Sequence, residues 1–296
     1  MALQTQSYRE LVRAFVQQMR VLGYSQARPS AVRLFLGWLE RQGIRDLNEL
    51  GPAHGKAYYR YLQERPSRRG GVLSPHTING YLAMIRLFLT WLHTSGRTER
   101  NAFADLRFAA PPVEQRTVLS RAQLKRLYGV CERPRERLLL GLFYGCGLRR
   151  SEAERLNLAD VDARSGLLYV RRGKGGKRRV VPLTERVIED IKAYVWQQRP
   201  RQVTVKTIGE HGRALVLNRI GRRMSGQSYY RLFGELKART GDRELLQPGI
   251  GLHTLRHSIA THLLRDGMPI ERVRDFLGHD CLESTQIYTR IDIHQL

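Results

Sequence analysis

Six side chains between Arg149 and Tyr288 have the types required to move a phosphoryl group without a metal. Arg149 stands in Gly147-Leu148-Arg149-Arg150-Ser151-Glu152, and Lys174 in Gly173-Lys174-Gly175-Gly176-Lys177. His253 and Arg256 share His253-Thr254-Leu255-Arg256-His257; His279 closes Leu277-Gly278-His279, and Tyr288 sits in Ile287-Tyr288-Thr289. A pentacoordinate phosphate develops charge on its non-bridging oxygens, which preorganised cations must meet. Arg149 and Arg256 suit that task, because a guanidinium donates in a planar fork and stays ionised at any working pH. The phenolic oxygen of Tyr288 is a nucleophile once a base takes its proton, and the ester it forms keeps the phosphodiester energy, so no ATP is needed. Lys174 is placed to protonate the leaving hydroxyl.

Spacing adds to type. His253 and Arg256 are three apart on an expected helix and share a face, and Arg149 and Glu152 have the same spacing, which lets Glu152 orient Arg149 or a neighbouring base. Other chemistries fit less well. His253 and His257 stand at i and i+4, but position 254 is threonine and the glutamate of a zinc protease helix is missing, so no metal is expected. The glycine-rich Lys174 stretch is not followed by Ser or Thr as a nucleotide loop would be, and it lies between two strand-like runs. His279, taken alone, reads more readily as a helix cap or core partner than as a catalyst.

The elements that must carry these residues follow from periodicity. Helices are expected over Tyr8 to Gly23, from about Pro29 to Gly43, over Gly51 to Glu64, and from the Ser74 cap with Pro75 to His93. These make residues 1–107 a small all-helical domain. Its aromatics Tyr58, Tyr59, Tyr61, Phe88 and Trp91 recur at helical spacing and read as core. Arg65, Arg68 and Arg69 in the turn Arg65-Pro66-Ser67-Arg68-Arg69-Gly70-Gly71 are candidates for contact with the DNA backbone. Residues 108–117, with two adjacent prolines, form the expected linker, and residues 118–296 a second domain.

In that second part Ser120 and Gln123 form a capping box. Arg135 to Leu148 reads as one buried apolar helix that delivers Arg149. Leu167 to Arg172 and Arg178 to Leu183 read as a hairpin with Lys174 at its turn. Helices are expected over Thr184 to Trp196, Tyr229 to Thr240, His253 to Asp266, Ile270 to Leu277 and Ser284 to Arg290. Ala214 to Leu217 reads as a short strand.

Composition selects the partner. The 296 residues carry 51 Lys and Arg against 27 Asp and Glu, a formal charge of +24. Residues 1–107 hold 16 basic and 7 acidic side chains and residues 108–296 hold 35 and 20, so the excess belongs to both parts and not to a tail. This is the footprint of a polyanion binder, with nucleic acid first. The longest apolar run, Leu138 to Leu148, is shorter than the roughly 20 residues a membrane span needs, and the N-terminus lacks the layout of a signal peptide. A cytoplasmic protein without membrane contact is expected. Three widely spaced cysteines suggest neither a disulfide framework nor a zinc site.

Taken together, the order Gly-Leu-Arg-x-x-Glu, a glycine-flanked lysine in a β-turn, His-x-Leu-Arg-His, Leu-Gly-His and a tyrosine nine residues later closely resembles the tyrosine recombinases, the integrases and Xer-type enzymes that cut and rejoin DNA. The resemblance spans Gly147 to Tyr288. It implies a mainly α protein with a four-helix SAM-like DNA-binding domain and a mixed α+β catalytic domain with a small antiparallel sheet, closing as a C-shaped clamp on DNA. It implies that Arg149 and Arg256 clamp the scissile phosphate, His253 accepts a proton, His279 donates to the phosphate, Lys174 is the general acid, Glu152 supports them, and Tyr288 becomes joined to the 3′-phosphate. It implies no cofactor, duplex DNA with inverted-repeat sites as substrate, and a homo- or hetero-tetramer on that DNA. A type IB-like topoisomerase or a non-cleaving regulator on the same fold are the alternatives. Two departures stand out: eight residues follow Tyr288, fewer than the docking helix of many relatives, and no additional arm-binding domain is evident.

The charge leads to a first expected outcome. Neutralising roughly 6–10 phosphates makes DNA affinity fall by about 10³–10⁵ between 50 and 200 mM salt. A salt titration of binding checks this, and a flat response contradicts it.

Overall fold

The computed structural model describes residues 6–22, 29–67, 70–109, 117–171 and 178–278. The chain divides into two compact units, Met1–Glu114 and Gln115–Leu296. Most of the expected linker, 110–116, lies outside the described residues, as do Arg68, Arg69, Lys174, His279, Tyr288 and the helix expected over Ser284 to Arg290.

The first unit is built from α1 (Gln6–Val21), α2 (Pro29–Arg41), α3 (Pro52–Glu64) and α4 (Pro75–Thr94). The start of α4 follows from local chemistry: the Ser74 hydroxyl accepts from the Thr77 N–H at 3.3 Å, and Pro75 occupies the first helical position, where no N–H is needed. Each helix buries one stripe in a shared core of Tyr8, Phe15, Phe35, Tyr58, Phe88 and Phe103 with their aliphatic neighbours. Tyr59, Tyr61 and Trp91, partly buried, pack against it, in keeping with their helical spacing. Phe88 meets Phe15 edge-on, with centroids 5.2 Å apart. Arg65 ends α3 and donates to the Tyr61 hydroxyl at 3.4 Å, while the Ser67 N–H donates to the Gly71 carbonyl at 2.8 Å to close the turn.

The second unit begins with α5 (Arg121–Gly129), where Ser120 and Gln123 exchange the two bonds of a capping box. There follow α6 (Pro134–Leu140), α7 (Arg150–Arg155), a small sheet, α8 (Glu185–Ala193), the single turn α9 (Glu210–Arg213), α10 (Gly226–Arg239), α11 (Leu252–Arg265) and α12 (Ile270–Leu277). The sheet is antiparallel in the order β1 (Val161–Asp162), β2 (Leu167–Val170), β3 (Arg179–Pro182). Leu168 pairs with Val181 and both are buried, whereas Val170 pairs with Arg179 where the hairpin opens. Alternation places Leu168 and Val170 on the core side.

Two expectations are corrected. Arg135 to Leu148 is not one α-helix. The backbone widens after Leu140 into a π turn over Gly141–Gly145, closed by the Cys146 N–H on the Gly141 carbonyl at 2.8 Å, and leaves it at Gly147. Glycines at 141, 145 and 147 make a continued helix costly and this exit cheap. Ala214 to Leu217 is not a strand either. It is buried by isolated pairings on two sides, with the Leu215 N–H on the Leu156 carbonyl at 3.0 Å and the Met224 N–H on the Val216 carbonyl at 2.9 Å. β1 was not expected. Among the described residues no helix is long and apolar enough to cross a membrane.

Truncating Phe88 removes a ring that packs against two others, Phe15 and Trp91. Phe88→Ala is expected to cost the first unit about 3–5 kcal/mol. Denaturant unfolding measures it, and a loss below about 1 kcal/mol contradicts this account of the core.

Candidate active site

Glu152 lies in the first turn of α7 and its side chain is 1% exposed. Both carboxylate oxygens are occupied. The Arg149 backbone N–H donates to Oε2 at 2.8 Å, which caps the helix start, and the Arg149 guanidinium donates to Oε1 at 2.8 Å. Arg179, on β3, donates through Nη1 to Oε1 at 2.7 Å and through Nη2 to Oε2 at 2.9 Å. Arg256, one turn into α11, brings Nη1 within 3.8 Å of Oε2. Three guanidinium groups from three elements therefore converge on one carboxylate.

Backbone carbonyls solvate what the carboxylate leaves over. Arg256 donates to the Gly147 carbonyl and, at 2.7 Å, to that of Leu277. Arg179 donates to the Phe276 carbonyl at 3.0 Å and Arg149 to the Gly278 carbonyl at 2.7 Å. The last carbonyls of α12 thus take one arginine each, at the helix end where the macrodipole favours cations. Gly278 ends α12 in the left-handed region at φ 64°, and a Cβ there would come within 2.9 Å of the Arg179 Cδ. Gly147, at φ 55°, would with a Cβ lie 3.0 Å from both Leu277 and Phe276. Both glycines are required by conformation and by space.

Neighbouring elements hold the frame. Arg223 donates to the carbonyls of Glu154 and Leu156 and to the Asn157 amide oxygen, closing the end of α7. The π turn is joined to α11 through Tyr144 and His262, whose Oη and Nδ1 lie 2.9 Å apart. At the start of α11 the Gly251 N–H donates to the Thr254 hydroxyl at 3.0 Å.

The electrostatics follow. Burial raises the Glu152 carboxyl, but the bonds and charge of Arg179, then the bonds from Arg149, outweigh it and hold the group below the ordinary carboxylate range. Among the described residues, three guanidiniums share one carboxylate here. The side chains of Arg256 and Arg179 are 6% and 10% exposed and that of Arg149 is 20% exposed, so Arg149 is the member of the three most open to an incoming anion. Guanidinium forks are the donors that match the geometry of a phosphate.

Of the residues expected from sequence, Arg149, Glu152 and Arg256 come together. His253 sits on the first turn of α11, exposed, three residues before Arg256. Lys174 belongs to the segment joining β2 to β3, and His279 directly follows Gly278; with Tyr288, both lie outside the described residues. Arg65 lies in the other unit, half-buried at the end of α3. Sequence reasoning missed Arg179. It stands just after the Lys174 turn at the start of β3, where the sequence does not set it apart from the many other arginines.

Residues 117–294 match the model of the phage integrase family. The chain belongs to that family. Tyrosine recombinase XerC of Chlamydia trachomatis serovar L2 is 35% identical to it over 225 residues, 74% of this chain and 68% of the relative. Tyrosine recombinase XerC of Chromobacterium violaceum is 32% identical over 302 residues, 97% of this chain and 92% of the relative. Among solved structures, the Tn1549 transposon integrase in complex with a circular intermediate DNA has a TM-score of 0.73 at 20% identity, covering 94% of each chain, a likeness of fold.

A depressed carboxyl contributes stability that is present above its unfolded value, about 4.3, and is lost as pH falls through the lower folded value. Glu152→Gln is expected to lower the stability of the second unit near neutral pH and to flatten its loss on acidification. Thermal unfolding from pH 7 down to pH 3 reads both. An acid profile identical to wild type contradicts the assignment.

Proposed function

We propose that this chain is a site-specific DNA recombinase that cuts and rejoins duplex DNA through a covalent 3′-phosphotyrosine. The observation that carries the reading is the convergence of Arg149 and Arg256 on buried Glu152 in a member of the phage integrase family. Arg149 and Arg256 hold the non-bridging oxygens of the scissile phosphate and stabilise the charge of the pentacoordinate state. The Tyr288 Oη attacks phosphorus as His253 accepts its proton, His279 donates to the phosphate, and Lys174 protonates the departing 5′-oxygen. One P–O bond forms as another breaks. The reverse attack, by a 5′-hydroxyl from a second duplex, completes strand transfer without ATP or a cofactor.

The remaining assignments complete this reading. Residues 1–107 form the DNA-gripping domain, residues 108–117 the linker and residues 118–296 the catalytic domain. Arg65, Arg68 and Arg69 contact the phosphate backbone from the first domain. The enzyme works in the cytoplasm as a homo- or hetero-tetramer on inverted-repeat sites. The names of the relatives, tyrosine recombinases, favour this reading over topoisomerase or regulator.

The test uses a nicked suicide duplex bearing the sequence that the chain itself selects from a random pool. Wild type is expected to accumulate a covalent protein–DNA adduct on a denaturing gel and Tyr288→Phe none. An adduct that survives in Tyr288→Phe removes that residue from the reaction.

A further inference from the structure

Arg179 has no part in the chemistry proposed above, yet it makes the most complete set of contacts around Glu152. It meets both carboxylate oxygens in a bidentate pair, at 2.7 and 2.9 Å, and donates from Nε to the Phe276 carbonyl at 3.0 Å. Its side chain is only 10% exposed and lies against Gly278, whose missing Cβ is what lets the guanidinium approach. It also begins β3, paired with Val170 where the hairpin carrying Lys174 opens. Its side chain therefore joins the carboxylate that orients Arg149 to the last turn of α12, and its backbone pairs with β2.

We infer that Arg179 is a positioning residue of the strand-transfer site, fixing the Glu152 carboxylate so that Arg149 and Arg256 are held in register with each other and with the β2–β3 hairpin. The inference rests on the recombinase reading and assigns Arg179 no contact with the scissile phosphate.

Geometry supports the division of labour. A bidentate guanidinium–carboxylate pair fixes the plane of the carboxylate as well as its position, which a lysine point charge does not. With that plane set, Oε1 receives the Arg149 guanidinium and Oε2 receives the Arg149 backbone N–H. Among the described residues the ion-pair partners of Glu152 are Arg149 ahead of α7, Arg179 on β3 and Arg256 on α11; α12 contributes the carbonyls that the same arginines use. Removing Arg179 leaves Glu152 with Arg149 as its closest remaining partner. Arg149 must then serve the carboxylate and the phosphate from a carboxylate free to rotate.

The test is a double-mutant cycle on the full chain, with Arg179→Met, Glu152→Gln and the pair, read as the single-turnover rate of adduct formation on the nicked duplex described above at saturating DNA. Arg179→Met is expected to slow that rate by about 10²-fold, the effect of a misplacement near 1 Å, with DNA affinity within threefold of wild type. The pair is expected to be no slower than Glu152→Gln alone, because Arg179 acts through Glu152. The acid limb of the rate against pH moves upward in Arg179→Met, since Glu152 has lost the partner that most lowers its pKa. Arg179→Lys, which keeps the charge and loses the fork, carries the same cycle if Arg179→Met does not fold. Additive losses, or weakened binding with an unchanged saturated rate, overturn the inference. An adduct absent from wild type overturns the recombinase reading and the role with it.

Discussion

A single buried carboxylate, Glu152, decides where three guanidinium groups sit, and the rest of the second unit is arranged to keep it in place. Putting an ionised carboxyl out of water is costly unless its oxygens are filled. Here both are filled by Arg149 and Arg179, with Arg256 a further 3.8 Å contact. Among the described residues three guanidiniums share this one carboxylate, an excess of positive charge that suits the receipt of an anion.

That constraint explains features that look unrelated one at a time. The π turn over Gly141–Gly145 ends the buried helix early enough for Gly147 to turn and present its carbonyl to Arg256. Glycine at 147 lets Phe276 and Leu277 come close, which brings the end of α12 to the arginines. Gly278 then stops α12 in a left-handed conformation with its carbonyl on Arg149. His279 is the next residue, so the chain that carries His279 and Tyr288 starts from a point the arginines hold.

Much of this was legible in the sequence wherever the signal is local. Helices α1 to α4 follow from apolar spacing, and the starts of α4 and α5 follow from Ser74 and Ser120, whose hydroxyls accept the backbone bonds expected of caps. Arg149, Glu152 and Arg256 were legible from spacing and motif, since i,i+3 neighbours share a helix face. The π turn was not, because an i→i−5 bond has no compositional mark beyond glycines that also suit other turns. Arg179 was hidden for a different reason. In a chain with 44 arginines, one more at the start of a strand carries no signal by itself, and its partner is 27 residues away, on an element whose approach depends on packing.

In the proposed reaction the arginines gathered by Glu152 serve a step in which Tyr288 becomes joined to DNA. Mass spectrometry of the peptide left on the duplex after proteolysis of the trapped adduct, together with labelling of the released DNA end, tests it most directly. The expected product is the peptide containing Tyr288 linked to a 3′-phosphate, with a free 5′-hydroxyl on the other side of the break. Linkage through any other residue, or a released 3′-hydroxyl, would contradict it.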